Sequence, residues 1–175
     1  MKFLVSLVMF SLLLNCFTFA QTLIQDSCKK AAMKIPDFYY NFCVDSLTQD
    51  PQSKNATTLK GLILSSTKNA EANAMKVKGI VEHILKGKKY ESIEAELRDC
   101  VEFYDDANDS LNTALASVRS QDYKTANENF GIALDVPRDC EDGIKERTQH
   151  SPITDENNTL LQKISVPCGL NYILI

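Results

Sequence analysis

Few residues in this chain of 175 have side chains that could do chemistry: six cysteines, two histidines and three pairs of adjacent acids. The acid pairs are Asp105-Asp106, Glu141-Asp142 and Asp155-Glu156. Hydrolysis by two carboxylates needs them to face each other across a cleft. Neighbouring residues on a helix point about 100° apart, so these pairs read instead as solvated faces or favourable first turns. His83 lies beside an apolar stripe and His150 lies in a loop. Neither has a nucleophile or a metal-binding partner at a useful spacing. The chain contains no G-x-S-x-G, no glycine-rich phosphate loop, no H-E-x-x-H and no C-x-x-C. We expect no catalytic residue, no metal and no cofactor, and hence a protein that is not an enzyme.

The cysteines carry more information. Residues 1–20 combine Lys2, an apolar run from Phe3 to about Leu14, and the small residues of Thr18-Phe19-Ala20. That pattern predicts a secretory signal peptide, too short for a membrane span. Its removal takes away Cys16, one base and no acid. The mature chain keeps 18 Lys+Arg against 23 Asp+Glu, with no concentrated basic face for nucleic acid and no expected membrane partner. The remaining cysteines are Cys28, Cys43, Cys100, Cys140 and Cys168, in an oxidising compartment where pairing is expected. Three glycosylation sequons stand at Asn55, Asn108 and Asn157.

The elements that must position these groups are helical. Glycine and proline number only 6 and 5, and no segment alternates like a strand. One stripe runs through Leu59, Ile63, Ser66, Ala70, Asn73, Val77, Ile80 and Ile84, or one residue aside through Leu62, Asn69 and Val81. A second runs through Ile93, Leu97, Cys100, Tyr104, Ala107, Leu111, Ala114 and Val118. Both repeat as four and three, which puts each stripe on one helical face. Gly87-Lys88-Lys89 separates them, and Ser92 is placed to cap the second. A third helix begins after the Asp122 cap and passes Tyr123, Ala126, Phe130 and Ala133, with an irregularity expected at Val136-Pro137. Thr154 is placed to cap a fourth, which Ser165-Val166-Pro167-Cys168-Gly169 should stop.

The expected architecture is all-α: an up-down-up-down four-helix bundle over 56–166, preceded by a helical hairpin over 21–48 broken at Pro36. An atypical tail, 167–175, follows. Residues 21–175 form one domain. Antiparallel helices set residues equidistant from their turn side by side, within the ~7 Å a disulfide requires. Cys28 and Cys43 flank Pro36 by eight and seven residues, and Cys100 and Cys140 each lie twenty from Ser120. These spacings pair Cys28 with Cys43 and Cys100 with Cys140. Cys168 is left as a free thiol, in a monomer or as the link of a disulfide dimer.

Four short segments carry a resemblance: Ser27-Cys28-Lys29-Lys30, Tyr40-Asn41-Phe42-Cys43, Leu97-Arg98-Asp99-Cys100 followed by Tyr104, and Cys140-Glu141-Asp142-Gly143. With them the chain resembles the plant invertase and pectin methylesterase inhibitors over about residues 22–165. Asp122-Tyr123-Lys124, Ile84-Leu85-Lys86 and Ser151-Pro152-Ile153-Thr154 resemble the pollen-allergen subgroup. The resemblance implies a secreted plant glycoprotein that binds its enzyme one-to-one and blocks the active-site cleft, in the cell wall or, on the same leader, the vacuole. It implies acid invertase (β-fructofuranosidase) as target, with pectin methylesterase or a non-inhibitory wall or pollen role as alternatives. Invertase inhibitors carry Pro-Lys-Phe at the start of the third bundle helix. Here that place holds Tyr123-Lys124-Thr125 after Asp122, so only Lys124 agrees.

Overall fold

The computed structural model describes residues 20–87 and 89–175. The leader expected over 1–20 lies, but for its last residue, outside them. The regular secondary structure of the described residues is all helical, with no strand. Helix α1 covers 20–34. It is followed by α2 (Tyr40–Gln49), α3 (Pro51–Lys54), α4 (Leu59–Leu85), α5 (Glu94–Ser120), α6 (Tyr123–Lys145) and α7 (Thr154–Tyr172).

The hairpin forms because Ile24, Cys28 and Ala31 of α1 share one face, and Cys43 and Leu47 of α2 meet it. The turn passes through Asp37 at φ 59°, and Cys28–Cys43 closes it with Cα atoms 5.9 Å apart. The short α3 was not anticipated from the sequence. Asp50 caps it by accepting from the Ser53 N–H at 2.8 Å, and the Ser53 hydroxyl meets that of Ser65 on α4 at 2.8 Å.

Helices α4 to α7 form the bundle. Each packs on its neighbour in sequence, and α7 closes on α4. The α5 stripe is buried at every position expected of it. On α4 the buried face lies partly to the side of the first stripe: Leu62, Ala74 and Val81 are buried, while Ile80 and Ile84 are half-exposed. Small residues at Ala70, Ala74, Ala107, Ala114, Ala126 and Ala133 are fully buried, which lets the helices approach closely.

Four local expectations are corrected. Ser92 does not cap α5, which starts through a single 3-10 turn, Glu91–Ile93, without a side-chain cap. Thr154 does not cap α7, because its hydroxyl is bonded to Glu141 instead. Helix α6 runs through Pro137 unbroken. Helix α7 likewise runs through Pro167 to Tyr172, so the expected stop and tail are replaced by two further turns. A proline inside a helix costs ~3 kcal/mol. Val166 and Leu170 are buried on this extension and offset that cost at ~1.5–3 kcal/mol each. Gly169 makes the extension possible, since a Cβ there would overlap the Phe38 ring. Lys34 completes the end by donating to the Tyr172 carbonyl at 3.2 Å, with its ammonium 5.6 Å from the centre of the Tyr172 ring.

Candidate functional site

The segment singled out by the sequence is the turn from α5 into α6. Gln121 ends α5 in the left-handed region at φ 66°. The Asp122 carboxylate then accepts the Thr125 N–H at 3.1 Å. Hydrogen bonds from Thr125 hold the Asp122 carboxyl below its usual range, so it stays ionised at the positive end of α6. Lys124 is exposed beside it. Tyr123 is half-buried and packs on the core. Its carbonyl accepts from the buried Asn171 amide of α7 at 2.8 Å. Across the turn, Lys60 of α4 donates to the Arg119 carbonyl at 2.8 Å. The unexpected end of α7 and the start of α4 therefore fix this turn from both sides. What the turn offers is one cation and one anion on a rigid ledge, chemistry suited to recognition rather than to proton transfer.

A second cluster lies around the other end of α6. Cys100 and Cys140 join α5 to α6 with Cα atoms 5.1 Å apart. Beside the bridge, the Tyr104 hydroxyl donates to Asn157 Oδ1 at 2.6 Å and lies 3.2 Å from Cys140 Sγ. Asn157 Nδ2 donates to Glu141 Oε2 at 3.1 Å and toward Cys140 Sγ at 3.7 Å. Glu141 also accepts from Thr154 at 2.6 Å and pairs with Lys145 at 3.1 Å. Burial opposes ionisation of Glu141, but donors from Thr154, Asn157, Lys145 and Ser151 outweigh it and lower its pKa. Burial, reinforced by the Glu141 charge, raises the Tyr104 hydroxyl far above its ordinary value. The cluster uses its polar atoms on itself and structurally joins α5, α6 and α7.

Among the described residues no three His, Cys, Asp or Glu side chains converge on a metal position. His83 and His150 are both exposed. Cys168 is half-buried and unpaired, 4.0 Å from Asn127 Oδ1, and burial pushes its thiol up to about 11.

The family model for plant invertase/pectin methylesterase inhibitors matches residues 22–168. The chain belongs to this inhibitor family. It is 57% identical over 174 residues to "Pectinesterase inhibitor 12" of Arabidopsis thaliana, covering 99% of this chain and 100% of that one. It is 36% identical to the "Putative invertase inhibitor" of Platanus orientalis, over 90% of this chain and 93% of the other. A crystal structure of a mutant pectin methylesterase inhibitor from Arabidopsis shares the fold, with a TM-score of 0.66 at 21% identity over 76% of this chain and 88% of that chain.

Within this inhibitor the structure brings Asp122, Tyr123, Lys124 and Thr125 together on one turn, far along α6 from Cys140. It pairs Cys28 with Cys43 and Cys100 with Cys140. Of the three sequons, Asn55 is exposed and Asn108 is half-buried. Asn157 is 3% exposed and bonded within the cluster. The Glu141 cluster was missed by sequence reasoning. Glu141-Asp142 was read as a solvated pair, and indeed Asp142 is exposed, but Glu141 is only 8% exposed.

Proposed function

We propose that this chain is a secreted inhibitor of pectin methylesterase that binds the enzyme one-to-one and obstructs its cleft in the cell wall. One observation carries the reading: 57% identity, end to end, with a protein named as a pectinesterase inhibitor. The architecture supports it. A hairpin and a bundle, each stapled by one bridge, present preformed surfaces, so little ordering entropy is lost on docking.

Acid invertase is the second reading. It is favoured by the exposed Lys124 at the start of the third bundle helix and by the Platanus relative. Two features weigh against it. Thr125 supplies no aromatic anchor, and the Tyr123 ring packs on the core instead of projecting.

The test titrates purified protein against a plant pectin methylesterase and a cell-wall invertase at mildly acidic pH, as wild type and Lys124→Ala. Inhibition of pectin methylesterase that Lys124→Ala leaves intact is the expected result. Inhibition of invertase alone, lost with Lys124→Ala, would make Asp122 to Thr125 the docking ledge and replace the first reading with the second. Full activity of both enzymes in excess protein would leave a non-inhibitory wall or pollen protein of the same fold.

A further inference from the structure

The three sequons differ in what their amides are already doing. In N-glycosylation the bond from the sugar C1 to a lipid-linked pyrophosphate breaks, and a C1–N bond to the asparagine Nδ2 forms. The lipid pyrophosphate leaves, and the displaced amide proton passes to solvent. One N–H remains on Nδ2 afterwards. A folded protein therefore tolerates the glycan only where one amide hydrogen is free and space lies beyond it.

Asn55 meets both conditions. It follows α3 as that helix's last, flanking residue and is exposed, as are Lys54 and Thr57. Its Nδ2 makes one hydrogen bond, to the Pro51 carbonyl at 3.0 Å. The single hydrogen left after glycosylation is enough to keep that bond.

Asn157 meets neither. Its Nδ2 is directed at two acceptors, Glu141 Oε2 and Cys140 Sγ, and its Oδ1 receives the Tyr104 hydroxyl. Replacing either amide hydrogen by a sugar removes one of those contacts. A sugar would also have to fit between α6 and α7, where Asn157 is 3% exposed.

We propose that Asn55 is an N-glycosylation site of the mature protein, and that a glycan at Asn157 is incompatible with the native fold despite the intact Asn157-Asn158-Thr159 sequon. The glycan then stands on the connector between hairpin and bundle, and the Asn157 amide is kept for the Glu141 cluster. A chain modified at Asn157 during synthesis cannot seat α7.

The test is a peptide map of full-length protein secreted from plant cells and purified as the folded monomer. Glycans are released by an amidase in heavy-oxygen water, which marks each formerly occupied asparagine. The expected map marks Asn55 and leaves Asn157 unmarked. Asn55→Gln and Thr57→Ala should both remove the mark and the associated gel shift. Thr159→Ala destroys the Asn157 sequon without touching the amide, and Thr159 is exposed, so glycan pattern and melting temperature should both be unchanged. A marked Asn157 in monomer with the Cys100–Cys140 bridge intact would overturn the proposal, as would an unmarked Asn55.

Discussion

Replacing Asn157 by alanine should cost more than any exposed polar substitution in this chain. The Tyr104 hydroxyl is fully buried and would lose its 2.6 Å acceptor. Stranding a buried hydroxyl costs about 1–3 kcal/mol. Glu141 would lose one charge-assisted donor, worth about 1.5–3 kcal/mol, while keeping Thr154 and Lys145. The donors retained by Glu141, and Cys140 Sγ 3.2 Å from the Tyr104 hydroxyl, put both contributions toward their lower ends, so the total is ~3–4 kcal/mol. For a domain of this size that lowers the melting temperature by roughly 6–16 °C. Calorimetry near neutral pH measures it directly. The pH dependence is a second check. The folded Glu141 titrates below its unfolded value, so its contribution is complete above the unfolded value and lost as pH falls through the folded one. Removing a donor raises the folded value, so the difference between wild type and Asn157→Ala should shrink in strong acid. Tyr104→Phe should be less damaging, and the double variant should fall well short of additive. A loss under ~1 kcal/mol for Asn157→Ala, or strict additivity with Tyr104→Phe, would refute the cooperative reading of the cluster.

Two further outcomes follow from packing and burial. Gly169→Ala should destabilise by about 1–3 kcal/mol through overlap with Phe38. Melting of the double variant with Phe38→Leu should recover part of the loss, and no loss in the single variant would mean the hairpin is loosely seated. The Cys168 thiol, pushed up to about 11 by burial, should react with iodoacetamide about a hundredfold more slowly than an ordinary thiol near neutral pH. Non-reducing electrophoresis should accordingly show monomer, and a disulfide dimer would contradict the packing of α7.

The buried face of α5 was legible, because the stripe from Ile93 to Val118 is set by one strict repeat, whereas its uncapped start was not. The two bridges were legible for the same reason: helix register about a turn fixes which cysteines meet. The end of α7 was not. A local rule says that Pro167 stops a helix, but buried Val166 and Leu170 and the Phe38 ring against Gly169 decide otherwise, and those partners lie far away in sequence. Thr154 failed similarly: it matched a cap motif, yet the carboxylate of Glu141 claimed its hydroxyl in the folded state. The same carboxylate accepts from the Asn157 amide, a contact that no short motif announces. At the α6 turn the Asp122 cap was readable from its position, whereas Asn171 holding the Tyr123 carbonyl depends on the α7 extension that the proline appeared to forbid.

The two bridges join only consecutive helices, α1 to α2 and α5 to α6. The seam between α4 and α7, the first and last helices of the bundle, is closed by packing alone. A force drawing the ends of the domain apart therefore meets no covalent resistance until α7 has peeled away and α4 has swung out. The α5/α6 pair would remain stapled as an island onto which the outer helices can return, so the molecule has a built-in order of mechanical opening, with the ledge at Lys124 losing its Asn171 support in the first step.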